Sequence, residues 1–248
     1  MEEERKALED FLSCDISRSD EVFERFASLG GAYEAAGVGK QRFLYIPGKR
    51  RDKIVLAAHA DTAWDKSYRG EVLSQKLTLS GEGYYKGTNP LCGIGADDRA
   101  GCAMLYLLRE SGHSLLILDG EEMGMIGSKY LRDSHRELFE EINDHNMIIQ
   151  LDRRNDRDYK CYSIPVSGRF RAFIEEKTGY KDAGNTAATD IVALCERVCG
   201  VNFSVGYYNE HTPEESLCYE HWLNTLNMVR NLIAPGIERY PTEAVSTE

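Results

Sequence analysis

Three short apolar runs constrain this chain most: KIVLAAH (53–59), SLLILD (114–119) and MIIQL (147–151). They are too continuously apolar for strands with one wet face, so they read as strands buried on both sides. Between them lie segments of helical periodicity. Short buried strands alternating with helices specify a mainly parallel, mixed sheet with helices on both faces, a three-layer α/β/α sandwich. RFLYI (42–46) and NFSVGYY (202–208) add strands, and QKLTLS with GYYKG forms a small hairpin about Gly81-Glu82-Gly83. Helices are expected over 2–12, 20–36, 98–111, from 127 to 133, and over 169–178, 190–199 and 214–233. The last eight residues read as a frayed tail.

In sheets of this kind, side chains that do chemistry collect just past the C-terminal ends of the strands. Five clusters stand there. AAHADTAWD places His59 and Asp61 after the first buried strand, two residues apart on one face. His59 could bind a metal while Asp61 holds its other ring nitrogen. GIGADDRAG brings Asp97 and Asp98 into a glycine-rich turn entering a helix. DGEEMGMIGS puts Glu121 and Glu122 side by side after the second run. QLDRRND carries Asp152, and GYYNEHTPEE carries His211.

Each cluster has an ordinary reading. An HxD is often a satisfied hydrogen-bonded pair. Asp-Asp before a helix is N-cap chemistry, and Glu-Glu after Asp-Gly gains from a helix dipole. A strand-end Asp is often a cap, and a His before Thr-Pro is often plain loop. Those readings leave five clusters of oxygen and nitrogen donors at one sheet edge unexplained. They also leave adjacent carboxylates at the mouth of a buried strand, where burial is costly without a partner. Two imidazoles and several carboxylates without cysteine suit zinc, manganese or cobalt. One bridging carboxylate, with one His and one carboxylate per ion, would hold two metals roughly 3.5–4 Å apart.

The order HxD, GADDRAG, GEE, Asp, then His before Thr-Pro resembles the co-catalytic, di-zinc metallo-exopeptidase superfamily. DGEEMGMIGS looks most like the single-domain zinc aminopeptidases, and GADDRAG like peptidase T and the tetrahedral aminopeptidases. The resemblance runs from about Leu56 to His211. It implies two divalent ions, most simply Zn, with Co or Mn as alternatives. His59 and Asp152 would bind one, Glu122 and His211 the other, and Asp97 both. Asp61 would orient His59, Glu121 would be the general base, and a cis peptide would join Asp97 to Asp98. The implied activity is removal of N-terminal residues from short peptides. A dipeptidase or N-acyl amino acid hydrolase with the same metal core is the alternative, and a non-catalytic metal-binding protein of this fold is one of another class.

Many relatives insert a second domain into this core. Only 35 residues separate Asp61 from Asp97 and 58 separate Asp152 from His211, so a single catalytic domain over 1–248 is expected. Asp190, in TAATDIV, reads equally as a substrate-pocket residue or as part of a helix start after Thr189. Tyr207 and Tyr208 could line the pocket or pack at its rim. Arg99, Arg153 and Arg154 read as charge compensation for the acidic cluster, or as binders of a substrate carboxylate. The remaining histidines read as surface or cap residues.

A net charge of −11 disfavours nucleic acid and anionic membranes as partners, since both need a basic face. No apolar run is long enough to cross a bilayer, and the charged N-terminus has no apolar signal core. Seven scattered cysteines without CxxC read as reduced thiols in a cytoplasmic protein. Relatives range from monomers to large shells, so a homo-oligomer is among the expected states.

Overall fold

The computed structural model describes residues 2–243. The first half runs α1 (Glu2–Leu12), α2 (Asp20–Ala27), β1 (Tyr33–Ala36), β2 (Arg42–Ile46), β3 (Val55–His59), α3 (Lys66–Arg69), β4 (Leu77–Leu79), β5 (Tyr84–Gly87), α4 (Ala96–Leu107) and β6 (Ser114–Leu118). The second runs α5 (Ile126–Ser134), α6 (Arg136–Asn143), β7 (Ile148–Arg153), β8 (Asp158–Lys160), α7 (Gly168–Thr178), β9 (Lys181–Asp182), α8 (Asp190–Leu194), β10 (Gly200–Ser204), β11 (Tyr207–Tyr208), β12 (Ser216–Cys218) and α9 (Tyr219–Ile233).

Eight strands form one mixed sheet in the order β1-β2-β6-β3-β7-β10-β8-β9. Its centre, β6-β3-β7-β10, is parallel, and the antiparallel β2 and β8 flank it. Every residue of β3, β6 and β10 is buried, as expected for strands covered on both faces. One helical layer is built on α4, which packs against β3, β7 and α1. Trp222 of α9 joins it, donating its indole N–H to the Ala100 carbonyl. The other layer is α5, α6 and α8, lying over β2, β7 and β10. In α1, Leu8, Phe11 and Leu12 turn inward while three glutamates occupy its first turn, where they favour the helix dipole. A second, antiparallel sheet of order β11-β12-β5-β4 extends the expected hairpin. No helix among the described residues is long and apolar enough to cross a membrane.

Several boundaries differ from the sequence reading. The helix expected over 20–36 stops at Ala27. Gly30 and Gly31 take φ of 77° and 69°, and Tyr33–Ala36 then pairs with β2. The helix expected over 190–199 stops at Leu194, and Cys195 is extended. Residues Ser216–Cys218 are a strand, and the last helix starts at Tyr219. Pro241 bridges Val198, and the Thr242 and Glu243 amides donate to Arg197 and Pro165 carbonyls. The tail is therefore anchored that far, and its last five residues lie outside those described.

Two histidines read as surface residues are buried. His113 lies 3.0 Å from the Ile233 carbonyl and 3.2 Å from the Ile54 amide. His145 lies 2.8 Å from both the Glu141 carbonyl and the Ser114 hydroxyl. Burial lowers the His145 pKa from 6.5 to about 4. Below pH 6.5 the unfolded chain therefore binds a proton that the folded chain refuses. His145 contributes stability that is complete above pH 6.5 and is lost as the pH falls toward 4, by about 3 kcal/mol at most. Urea unfolding between pH 7.5 and 4.5 is expected to show this loss, and His145→Gln to flatten it. An NMR titration giving His145 an ordinary pKa would refute the assignment.

Candidate metal centre

The parallel strands end at one edge and deliver the site. His59 is the last residue of β3, and Asp152 lies one residue before the end of β7. Glu121 and Glu122 follow β6 through Asp119-Gly120. Gly120 has φ of 73°, and a Cβ there would fall 2.6 Å from that of Lys40. Asp97 opens α4, and its peptide bond to Asp98 is cis, as the resemblance implies. α4 sits flush on the sheet because Gly101 has no side chain: a Cβ there would lie 2.0 Å from the Leu151 carbonyl oxygen. His211 comes from the loop between β11 and β12, with φ of 61°, a conformation uncommon for a residue with a Cβ.

The donors converge in two groups. His59 Nε2 lies 3.1 Å from Asp97 Oδ1 and 3.3 Å from Asp152 Oδ1. His211 Nε2 lies 3.1 Å from Asp97 Oδ2 and 3.0 Å from Glu122 Oε1. Each imidazole nitrogen thus faces two carboxylate oxygens, and the two oxygens of Asp97 are divided between the groups. A ring N–H points at one acceptor, so in each group one oxygen must look elsewhere for a donor; Asp152 Oδ1 finds the Tyr207 hydroxyl. Glu122 Oε1, buried, is such an atom: despite its nearness to His211, no donor is aimed at it.

Electrostatics give the same account. Burial would hold His59 neutral, but Asp152, Asp61 and Asp97 around it raise its pKa well above normal. The Asp97 and Glu122 carboxylates raise His211 to about 11. Burial, with Asp97 nearby, lifts Glu122 to about 7. Burial lifts Glu121 well above the carboxylate range, and Asp152, Asp190 and Asp97 add to it. The cluster holds protons because it has too much negative charge for its burial, and a divalent cation meets the same demand. The donor set fits a cation in both groups.

Neighbouring side chains aim these donors. Asp61 takes the backbone N–H of Glu121 on one oxygen and that of Glu122 on the other, each at 3.2 Å. Its first oxygen also lies 3.4 Å from His59 Nδ1, and its carbonyl 3.1 Å. Asp152 Oδ2 accepts from Gln150 and Thr189, leaving Oδ1 toward His59. Asn202 holds the Asp152 backbone, accepting its N–H and donating to its carbonyl. Glu215, buried, accepts the N–H groups of Gly95 and Asp97. Asp98 also approaches His59 and Asp152, but its oxygens accept the N–H groups of His59 and Gly101.

Other residues singled out in the sequence stand differently. Tyr207 lines the adjoining cavity and donates to Asp152 Oδ1 at 3.3 Å. Tyr208 does not line it; its hydroxyl meets Asp156 and His221. Asp190 is buried and accepts from Ser128 at 2.6 Å; Thr189 does not cap α8, because its hydroxyl serves Asp152. Arg99 does not reach the acidic cluster and instead donates to the Asp15 and Arg18 carbonyls. Lys40 was missed. Its ammonium lies 2.5 Å from Asp65 and 3.0 Å from Asp119, behind Asp61. Nothing in GVGKQRF marks it, because its partners are 25 and 79 residues away.

No protein-family model and no curated protein sequence matches the chain. Solved structures do match in fold. Aminopeptidase PepT from Bacillus cereus ATCC 10987 aligns at TM-score 0.67 and 13% identity, over 94% of this chain and 98% of that one. A tripeptidase from Staphylococcus aureus subsp. aureus Mu50 aligns at 0.67 and 12%, over 94% and 97%. The TET1 peptidase of Pyrococcus horikoshii, which can assemble into a tetrahedron or a large octahedral shell, aligns at 0.62 and 12%, over 93% and 99%. At these identities the likeness is one of fold.

The Lys40 network makes a stability prediction. Lys40→Met leaves Asp65 and Asp119 buried without their cation and is expected to cost about 3–5 kcal/mol in urea unfolding. Adding Asp65→Asn and Asp119→Asn should recover most of that loss. Full stability in Lys40→Met alone would contradict the reading.

Proposed function

We propose that the chain is a metal-dependent exopeptidase that removes N-terminal residues from short peptides, a cytoplasmic aminopeptidase built as one catalytic domain. The observation that carries this reading is the division of Asp97 between two imidazole–carboxylate groups at the edge of a parallel sheet. The fold likeness to PepT and TET1 supports it. In this reading His59 and Asp152 hold one divalent ion, Glu122 and His211 the other, and Asp97 both, with Zn the simplest choice and Co or Mn the alternatives. Such ions, when bound, would supply Lewis acidity toward a carbonyl and lower the pKa of a bound water.

The chain's own residues do the rest. Glu121 borders the cavity beside Asp97 and Asp152, where its carboxylate takes the proton of the attacking water and returns it to the leaving amine. Asp61 fixes Glu121 by its backbone N–H and holds the His59 ring from behind, so base and ligand move together. The acidic lining receives a free α-amino group. Homo-oligomerisation belongs to the same reading. A dipeptidase or N-acyl amino acid hydrolase is the second reading, favoured by a cation, Lys160, in the same cavity.

Metal-loaded protein is expected to cleave free short peptides, to spare their N-acetyl forms, and to lose activity with a chelator. Glu121→Gln should keep its metal by elemental analysis and lose roughly 10²–10⁴-fold in kcat. Asp61→Ala should weaken metal affinity by roughly 10–100-fold. Cleavage of the acetylated forms would move the assignment to the acylase reading. Full activity in Glu121→Gln would remove the base.

A further inference from the structure

We propose that Lys160 binds the free α-carboxylate of the peptide whose scissile bond lies over the His59–Asp97–His211 cluster. This rests on the peptide-hydrolase reading above and names the half of the substrate that reading leaves unassigned.

One cavity of about 290 Å³ is lined both by Asp97, Glu121 and His211 and by Lys160, Tyr162 and Thr186. Its volume sits at the lower end of the range of ligand sites, roughly 300–1,000 Å³, so it suits a short ligand. Three cations border it, and two are spent. Arg153 makes a paired contact with Asp158, at 2.8 and 3.1 Å, and Arg154 donates to Glu210 at 2.7 Å. Lys160 is different. It is 7% exposed, and among the described residues its ammonium donates only to neutral acceptors, the Thr186 carbonyl at 2.9 Å and hydroxyl at 3.1 Å. The Tyr162 ring lies 5.8 Å away.

An ammonium has three donors, and these contacts use two. Holding a nearly buried cation with no carboxylate in contact costs desolvation that two neutral acceptors and the Tyr162 ring offset only in part. The charge makes sense if an anion arrives with the ligand. Every unblocked peptide carries one such anion, at the end opposite the amine that the acidic wall receives. Burial, with Arg153 and Arg154 nearby, lowers the Lys160 pKa against the smaller opposing pull of Asp158 and Asp182. Lys160 ends β8, which pairs with β10 in the sheet that carries the site. The anchor and the reacting groups therefore share one rigid frame.

The test is calorimetric binding of Leu-Gly-Gly and of its C-terminal amide to metal-loaded Glu121→Gln protein, which binds without turnover. The free acid is expected to bind roughly 10–100-fold more tightly than the amide. Lys160→Gln should bring that ratio close to one by weakening only the acid, and Lys160→Arg should preserve it. A purely structural role at Thr186 would weaken both peptides alike. Lys160→Met serves if Lys160→Gln fails to fold by circular dichroism. Equal binding of acid and amide, binding of neither, or a preference that survives loss of Lys160 would overturn the proposal. Turnover of the same two peptides by the unsubstituted enzyme is measured separately. Tight acid binding without hydrolysis of either peptide would overturn the peptidase reading and leave the carboxylate site standing.

Discussion

Negative charge gathered at one sheet edge is the constraint on which the rest of this structure depends. Asp97, Glu121, Glu122 and Asp152 converge there with only two imidazoles between them. Any sharing of protons leaves oxygens facing oxygens. The fold tolerates this because four parallel strands end together and their helices shield the site from the sides, so the charges are fixed by backbone that is itself well paired. A cation among these oxygens would meet that demand for positive charge.

Holding such a cluster open needs support from behind, and the buried polar residues supply it by a common logic. Each candidate ligand has some atoms satisfied by the protein and others left facing the centre. In Asp152, Gln150 and Thr189 occupy one oxygen, Asn202 holds the backbone, and the other oxygen points toward His59 with the Tyr207 hydroxyl beside it. Asp61 does the same for the adjacent glutamates through their N–H groups, and Lys40 balances the charge behind it. Such networks are costly when half complete, because a buried polar atom without a partner loses its full desolvation energy. The unpartnered Glu122 Oε1 therefore points to the centre as the place where a group is expected.

Much of this was legible in the sequence, for identifiable reasons. The buried strands announce themselves as apolar runs, and His59, Glu122 and Asp152 end or closely follow one, so for these three local order and topology carry the same message. His59, Asp97, Glu122, Asp152 and His211 are brought together as that order suggests. What escaped was set by distance or by tertiary override. Lys40 and Glu215 act on residues 79 and 118 positions away, and no local pattern marks them. The strands Tyr33–Ala36 and Ser216–Cys218 were absorbed into neighbouring helical periodicity, because such short strands have too few residues to show a period of their own. Tyr208 was placed by sequence proximity to His211, but successive strand residues face opposite ways, so Tyr207 reaches the cavity and Tyr208 does not.

The chain between Asp152 and His211 bears on how a compact core can recognise both ends of a substrate. Those 58 residues are spent on β8, α7, β9, α8, β10 and β11, of which β8, β9 and β10 pair into the main sheet and β11 into the second. Where recognition is delegated to a separate domain, closure must bring the anchor to the reacting groups. Here the unspent cation, Lys160, stands on β8, two strands from the β7 that carries Asp152. A rigid sheet fixes that separation in advance and admits only a ligand of matching length. Selection by length then follows from geometry, with the side chains of the ligand free to vary.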